Sequence, residues 1–166
     1  MQTEIVPNLW FDNEAEEAAR FYTSIFPNSK ITKVSHYSDA ASKAADRPKG
    51  SVLTVDFELN GNRFVALNGG PIFQFNESVS FIVHCDTQQE IDRYWSALTK
   101  GGQESVCGWL KDRFGVSWQI VPSVFSRWDL DSPAGERAME ALLKMKKLDI
   151  ATLTSAYESA TATSRR

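Results

Sequence analysis

Apolar and polar positions along the chain change period in the same order twice. "EIVPNLWFD" has β-type composition and ends in Asp12-Asn13, after which "EAEEAARFYTSIF" places Ala15, Ala18, Ala19, Tyr22, Ile25 and Phe26 on one helical face. "PNS" supplies the stop and "KITKVSHYS" reads as a second strand. The small, polar and Pro/Gly content of "DAASKAADRPKG" predicts a flexible loop. "SVLTVDFEL" and "RFVALNG" follow as strands, separated by Asn60-Gly61-Asn62, whose Asn-Gly step accepts the positive φ angles of a tight hairpin. The first half is therefore β-α-β-β-β.

The second half repeats that order. In "ESVSFIVHCD", Val79, Phe81 and Val83 alternate with Ser80, Ile82 and His84, the signature of a half-buried strand. "TQQEIDRYWSALTKGG" predicts a helix with Thr87 as N-cap, Glu90 closing a capping box, an Ile91-Tyr94-Trp95-Leu98 stripe, and Gly101-Gly102 past its end. "QESVCGWLKD" and "SWQIVP" read as the next strands, joined by "RFGV" with Gly115 free to turn. After Pro122 the pattern is helical. "SVFSRWDL" is short, "SPAGERAMEALLKMKKL" has Ser132 as N-cap, Pro133 at N1 and Ala138, Leu142 and Met145 on one face, and "DIATLTSAYESA" adds one more helical turn or two.

Two βαβββ units in tandem each leave an apolar sheet face uncovered, so closure on one another around a ligand-sized cleft is the expected α+β arrangement. The expectation is a single domain over 1–166, with modules at about 5–70 and 76–122, a helical extension over 123–158 and a frayed, polar end at 159–166.

Composition agrees with one substantial core: 166 residues, 42% hydrophobic and 23% charged. The net charge of −3 is spread without a basic run, which argues against nucleic acid as a partner. No stretch is long and apolar enough for a membrane span and the N-terminus has no leader pattern, so a cytoplasmic protein with no membrane partner is expected. Cys85 and Cys107 both lie in strand-like apolar runs and read as buried free thiols.

Candidate chemistry concentrates in "CGWLKDRFGVSWQIVP". With period 2, Cys107, Trp109 and Lys111 share one strand face and Leu110 and Asp112 the other, while Trp118 and Ile120 oppose Ser117, Gln119 and Val121. Asp112 beside Arg113 reads as a turn-stabilising pair, and the role of Lys111 is open. His84 and Cys85 are adjacent and point to opposite faces, so only one can reach a pocket with Cys107 or His36. That favours an ordinary strand histidine over a metal ligand. In the first half, Trp10 and the segment "ALNGGPIFQFN" combine aromatics with Asn68-Gly69-Gly70, where backbone can approach a ligand closely; a tight turn with core aromatics is the competing reading.

"PNLWFDNEAEEAARFYTSIFPNSKI", "ALNGGP" and "CGWLKDRFGVSWQIVP" together resemble the PhnB-like family, also labelled 3-demethylubiquinone-9 3-methyltransferase-like, of the glyoxalase/bleomycin resistance/dihydroxybiphenyl dioxygenase (vicinal oxygen chelate) superfamily. The resemblance runs from Ile5 to about Leu153 and implies paired βαβββ modules and a homodimer. It also implies a divalent metal held by His and Glu, but the matching positions carry Pro7, Ala66 or Leu67, Ser80 and Gln119, which cannot make such a site. The implied methyl donor would need a strand, a glycine turn and a helix, whereas Gly69-Gly70 runs into Pro71. No metal and no cofactor is therefore expected.

The superfamily analogy turns Gln119 toward the concave side, where its amide can orient a small molecule; alternatively it closes a sheet-to-sheet hydrogen bond and Trp118 is core. Two function classes remain. One is a metal-free pocket for a small hydrophobic or aromatic ligand, lined by Trp10, Asn68, Trp109, Trp118 and Gln119. The other is an enzyme of unknown reaction using His84, Cys107, Lys111 or Asp112 as acid, base or nucleophile.

Overall fold

In the first half of the chain the alternating runs become β1 (Asn8–Phe11), β2 (Lys30–His36), β3 (Val52–Leu59) and β4 (Asn62–Asn68), with helix α1 (Ala15–Ile25) after β1 and α2 (Asp39–Ala45) after β2. The sheet order is β1-β4-β3-β2, with β1 parallel to β4 and the other pairs antiparallel. α1 turns Ala15, Ala18, Ala19 and Tyr22 inward against Val55, Phe57 and Ala66, all essentially without solvent contact. Three alanines on that face let the helix axis approach the sheet closely, and Tyr22 stacks on Phe57. The β3–β4 connection is the expected tight hairpin, with Asn62 already in β4 and two residues in the turn: Asn60 and Gly61 have φ of 47° and 81°, and Leu59 pairs with Asn62. This computed structural model describes residues 3–159; of the expected frayed end, residues 160–166 lie outside the described residues.

Two expectations for this half need correction. The stretch expected to be a flexible loop contains α2, because Ser38 caps the Ala-rich run by accepting from the Ala41 N–H, and Asp46 ends it in a left-handed conformation. The Asn68-Gly69-Gly70 turn is also not open backbone. The Trp10 indole donates from Nε1 to the Gly70 carbonyl at 2.8 Å and lies where a Cβ on Gly69 would be, with Phe73 edge-on at 5.0 Å. The glycine makes room for the protein's own tryptophan.

The chain divides at Phe75/Asn76 into two compact units. The second has the same connectivity: β5 (Ser80–Cys85), α3 (Gln88–Thr99), β6 (Gln103–Glu104), β7 (Trp109–Lys111) and β8 (Ser117–Pro122), in the order β5-β8-β7-β6 with β5 parallel to β8. α3 begins with the Thr87/Glu90 capping box and buries Ile91, Tyr94, Trp95 and Leu98, as the sequence pattern requires. A 3-10 helix (Ser123–Arg127), α4 (Pro133–Leu142) and α5 (Ile150–Glu158) complete the unit. The architecture is α+β, two βαβββ units followed by C-terminal helices.

"QESVCGWLKD" is not one strand. It breaks over residues 105–108, where Cys107 and Gly108 take φ of 59° and 82° and their N–H groups donate to the carbonyls of Met145 and Lys146, each at 2.8 Å. α4 ends at Leu142 and not near Leu148, and the carbonyls of Met145 and Lys146 beyond it are turned toward the β6–β7 turn. Leu148 is then fully buried, and Gln88 of α3 holds the next residues by donating to the Leu148 carbonyl at 3.1 Å and accepting from the Ile150 N–H at 2.9 Å. Cys107 is accordingly a half-buried turn residue and not a buried strand thiol.

α1 has no side-chain cap of its own, and Asn68 at the end of β4 supplies one. Its Oδ1 accepts from the Ala15 N–H at 2.8 Å, its Nδ2 donates to the Val52 carbonyl at 3.0 Å, and its own carbonyl accepts from the buried Tyr37 hydroxyl at 2.6 Å. Asn68→Ala leaves a buried helix-terminal N–H and a strand carbonyl unpartnered. It is expected to lower stability by about 1–3 kcal/mol in denaturant unfolding; a change within error would show that water replaces the amide at no cost.

Candidate functional site

Strand register sorts the second sheet into two faces. Trp109 pairs with Gln119 and Lys111 with Ser117 across β7 and β8, while Ser80 pairs with Ser117 and Ile82 with Gln119 across β5 and β8. Leu110, Trp118, Ile120 and Cys85 point toward α3 and are buried. Ser80, Ile82, His84, Trp109, Lys111, Ser117, Gln119 and Val121 occupy the other face.

On that second face the C-terminal extension forms a wall. A cavity of about 240 Å³ is lined by Cys107, Trp109, Gln119 and Val121 from the sheet and by Phe125, Leu130, Ala138, Met139 and Leu142 from the segments after it. Gln119 is its most polar group. Its Nε2 donates one hydrogen to Ser80 Oγ at 2.9 Å, leaving the other hydrogen and the carbonyl oxygen available. Gln119 lines the cavity, and its hydrogen bond joins neighbouring strands of one sheet and does not run from sheet to sheet. Beside it, on the far side of Trp109, a wider cavity of about 460 Å³ is lined by Glu77, Lys111 and Ser117 together with residues of β6 and the β6–β7 turn.

The other residues singled out from sequence are placed differently. Trp118 lies on the core face, 3% exposed, with its Nε1 donating to Asp112 Oδ2 at 2.8 Å. Asp112 Oδ1 accepts from the N–H groups of Phe114 at 2.9 Å and Val116 at 3.1 Å, so this buried carboxylate holds the turn before β8 through N–H donors. Lys111 is ion-paired with Glu77 at 2.5 Å. His84 is exposed on β5. Cys85 is 1% exposed, and burial first, then the charge of Glu90, pushes its thiol up to about 12, so it stays protonated and a poor nucleophile. Trp10 and Asn68 belong to the first unit, each tied to its backbone as described above.

Sequence reading missed Ser117 and the α4 wall. Ser117 shares the Gln119 face by simple alternation, but only the packing reveals that its hydroxyl is buried. Ala138, Met139 and Leu142 carry a signal in the amphipathic stripe of "AGERAMEALL", which identifies an apolar face without saying what it covers.

The superfamily's metal does not fit these residues. Ser80 and Gln119, two of the positions where ligands would stand, are hydrogen-bonded to each other and carry no charge. Ala66, at a third, is buried in the core of the first unit. Among the described residues no three His, Cys, Asp or Glu side chains come together in a way that could hold a metal ion. An adenosyl methyl donor fits no better: the Gly69-Gly70 turn is covered by Trp10, and no helix starts after it.

Paired βαβββ units whose first strand runs parallel to the last define the glyoxalase/vicinal oxygen chelate fold, and comparison with known proteins agrees. Residues 3–121 match the family described as 3-demethylubiquinone-9 3-methyltransferase, and the chain belongs to that family. A PhnB protein from Bacillus cereus, given the same description, is 32% identical with a TM-score of 0.65, the match covering 73% of this chain and 100% of that one. A protein from Pseudomonas aeruginosa is 20% identical over 73% of this chain and 98% of that one, with a TM-score of 0.59. The fosfomycin resistance protein FosX from Mesorhizobium loti is 12% identical over 76% of this chain and 97% of that one, with a TM-score of 0.52. The last two show the shared fold alone. No curated protein matches the chain. The family match stops at residue 121, so the 3-10 helix, α4 and α5 lie beyond it.

Proposed function

We propose that the protein is a metal-independent binder of a small hydrophobic or aromatic molecule, held in the cavity between the β7–β8 face and α4. The observation that carries this reading is a single amide, Gln119, set among apolar side chains in a partly open cavity of about 240 Å³. A cavity of roughly 150 Å³ holds benzene, so a substituted single ring suits this one. Binding is favoured over catalysis by the placement of the reactive groups: Asp112 has its oxygens bound by N–H donors, and neither Lys111 nor His84 lines the cavity, which leaves Cys107 as the one candidate nucleophile in its wall.

A planar apolar ligand is expected to change the emission of Trp109, and Trp109→Phe to remove that change. Gln119→Leu is expected to weaken binding by about 0.5–1.5 kcal/mol, the worth of one neutral hydrogen bond, and to lower the melting temperature slightly through loss of its bond to Ser80. Unchanged affinity in titrations of both proteins would remove Gln119 from the site.

Metal independence rests on the donor set at Pro7, Ala66 or Leu67, Ser80 and Gln119. Elemental analysis of protein purified without an affinity tag is expected to find far less than one zinc, iron, nickel or manganese per chain. A stoichiometric ion lost on mutating one of these residues would overturn the reading.

A homodimer is part of the same proposal, supported by the aromatic segment after β4, in which Ile72 and Phe73 are 73% and 62% exposed. The unpaired thiols Cys85 and Cys107 suit a reducing, cytoplasmic setting, and no helix of the described residues is long and apolar enough to cross a membrane. Light scattering is expected to return twice the chain mass at micromolar concentration; a monomer mass unchanged by dilution would refute the dimer.

A further inference from the structure

We propose that the wider cavity of the second unit, built around Ser117, Lys111 and Trp109, is a binding site for a small organic carboxylate. It is separate from the apolar cavity: of the residues lining the two, only Trp109 is shared. The proposal therefore stands whether or not the apolar cavity binds a ligand.

Three observations converge on this site. The Ser117 side chain is 1% exposed, and its hydroxyl has no hydrogen-bond partner. A buried hydroxyl without a partner is costly in a native protein and calls for an occupant that accepts or donates a hydrogen bond. Lys111 sits directly opposite Ser117 in the β7–β8 register, so the two residues stand side by side on adjacent strands and both line one cavity of about 460 Å³. Finally, the Lys111 ammonium already holds a carboxylate, that of Glu77, at 2.5 Å. The hydrogen bond from Lys111 is the main cause holding the Glu77 carboxyl below its ordinary range.

Glu77 marks the chemistry that the position accepts, and it is replaceable. Its side chain is 64% exposed, and exposed ion pairs of this kind contribute little to stability. A ligand carboxylate can take one oxygen to the Lys111 ammonium and the other to the Ser117 hydroxyl, which Glu77 leaves unbonded. The second acidic group in the lining, Glu104, already accepts from Trp95 Nε1 at 2.9 Å and faces Lys146 at 3.8 Å, so its charge is partly met. The indole of Trp109 gives the ligand's body an apolar wall. A cavity that joins the Lys111 ammonium, the Ser117 hydroxyl and the face of Trp109 selects a ring or short chain ending in a carboxylate over its uncharged amide.

The test uses the full chain with benzoate and benzamide as probes, read by nitrogen-15 NMR at the Trp109 indole and by titration calorimetry. Benzoate is expected to bind about ten-fold more tightly than benzamide, as one charge-assisted hydrogen bond would give. Lys111→Met is expected to abolish that preference, and Glu77→Gln, which removes the competing carboxylate, to strengthen benzoate binding several-fold. Ser117→Ala is expected to weaken benzoate several-fold while leaving the melting temperature unchanged or higher, because no native partner is lost. Equal affinity for the two probes, no shift at Trp109 up to tens of millimolar benzoate, or a preference that survives Lys111→Met would each overturn the proposal. So would a Ser117→Ala protein that melts several degrees lower, since the hydroxyl would then be satisfied in the native state. Benzoate binding that responds to Gln119→Leu and not to Lys111→Met would place the probe in the apolar cavity and overturn the proposal while leaving the earlier reading intact.

Discussion

Two backbone hydrogen bonds, from the N–H groups of Cys107 and Gly108 to the carbonyls of Met145 and Lys146, constrain most of what is distinctive in the second unit. Strand pairing cannot continue through residues whose N–H groups are directed to another segment, so β6 and β7 separate there. The same bonds hold the chain that follows the end of α4 at Leu142, and Leu148 is buried in the core. Gly108 is required at this junction: its φ is 82°, and a Cβ would sit 2.8 Å from the Ile120 carbonyl oxygen. With the extension fixed at this point and at Gln88, the apolar stripe of α4 lines a cavity with Trp109 and Gln119.

The first unit uses functional-looking residues for a different purpose. Trp10, Asn68 and the glycine pair have the composition of a ligand site, yet the indole bonds the Gly70 carbonyl and the Asn68 amide joins α1 to β3. A helix that starts without its own cap leaves an N–H that must be met from elsewhere, and Asn68 reaches it from 53 residues away. The energetics of this corner concern holding α1 on its sheet.

Family membership and chemistry separate at the same strands that define the fold. The family description names a methyl transfer and the wider superfamily implies a metal, but the fold only supplies the strand positions at which such chemistry would be built. Here those positions carry a neutral Gln119–Ser80 pair, and the charged and unsatisfied groups lie one pairing further along, at Lys111 and Ser117. The cavity walls beyond residue 121 come from chain outside the family match.

Much of this fold was legible in the amino-acid order, because the interactions responsible are local. The Thr87/Glu90 capping box, the Asn60-Gly61 hairpin and the Ser132-Pro133 helix start each involve residues within a few positions of one another. The alternation that separates Trp118 from Gln119 is a property of a single strand. The tertiary structure decided the rest, wherever a group's partner is remote in sequence. Ala-rich residues 39–45 became helical through Ser38 although the composition around them reads as loop. The glycine pair closed over Trp10, 60 positions away, and the break at 105–108 depended on carbonyls near Met145. Which cavity Gln119 and Ser117 each face was fixed by helices and an ion pair that periodicity cannot reveal, since a face's burial depends on what packs on it and not on its own order of residues.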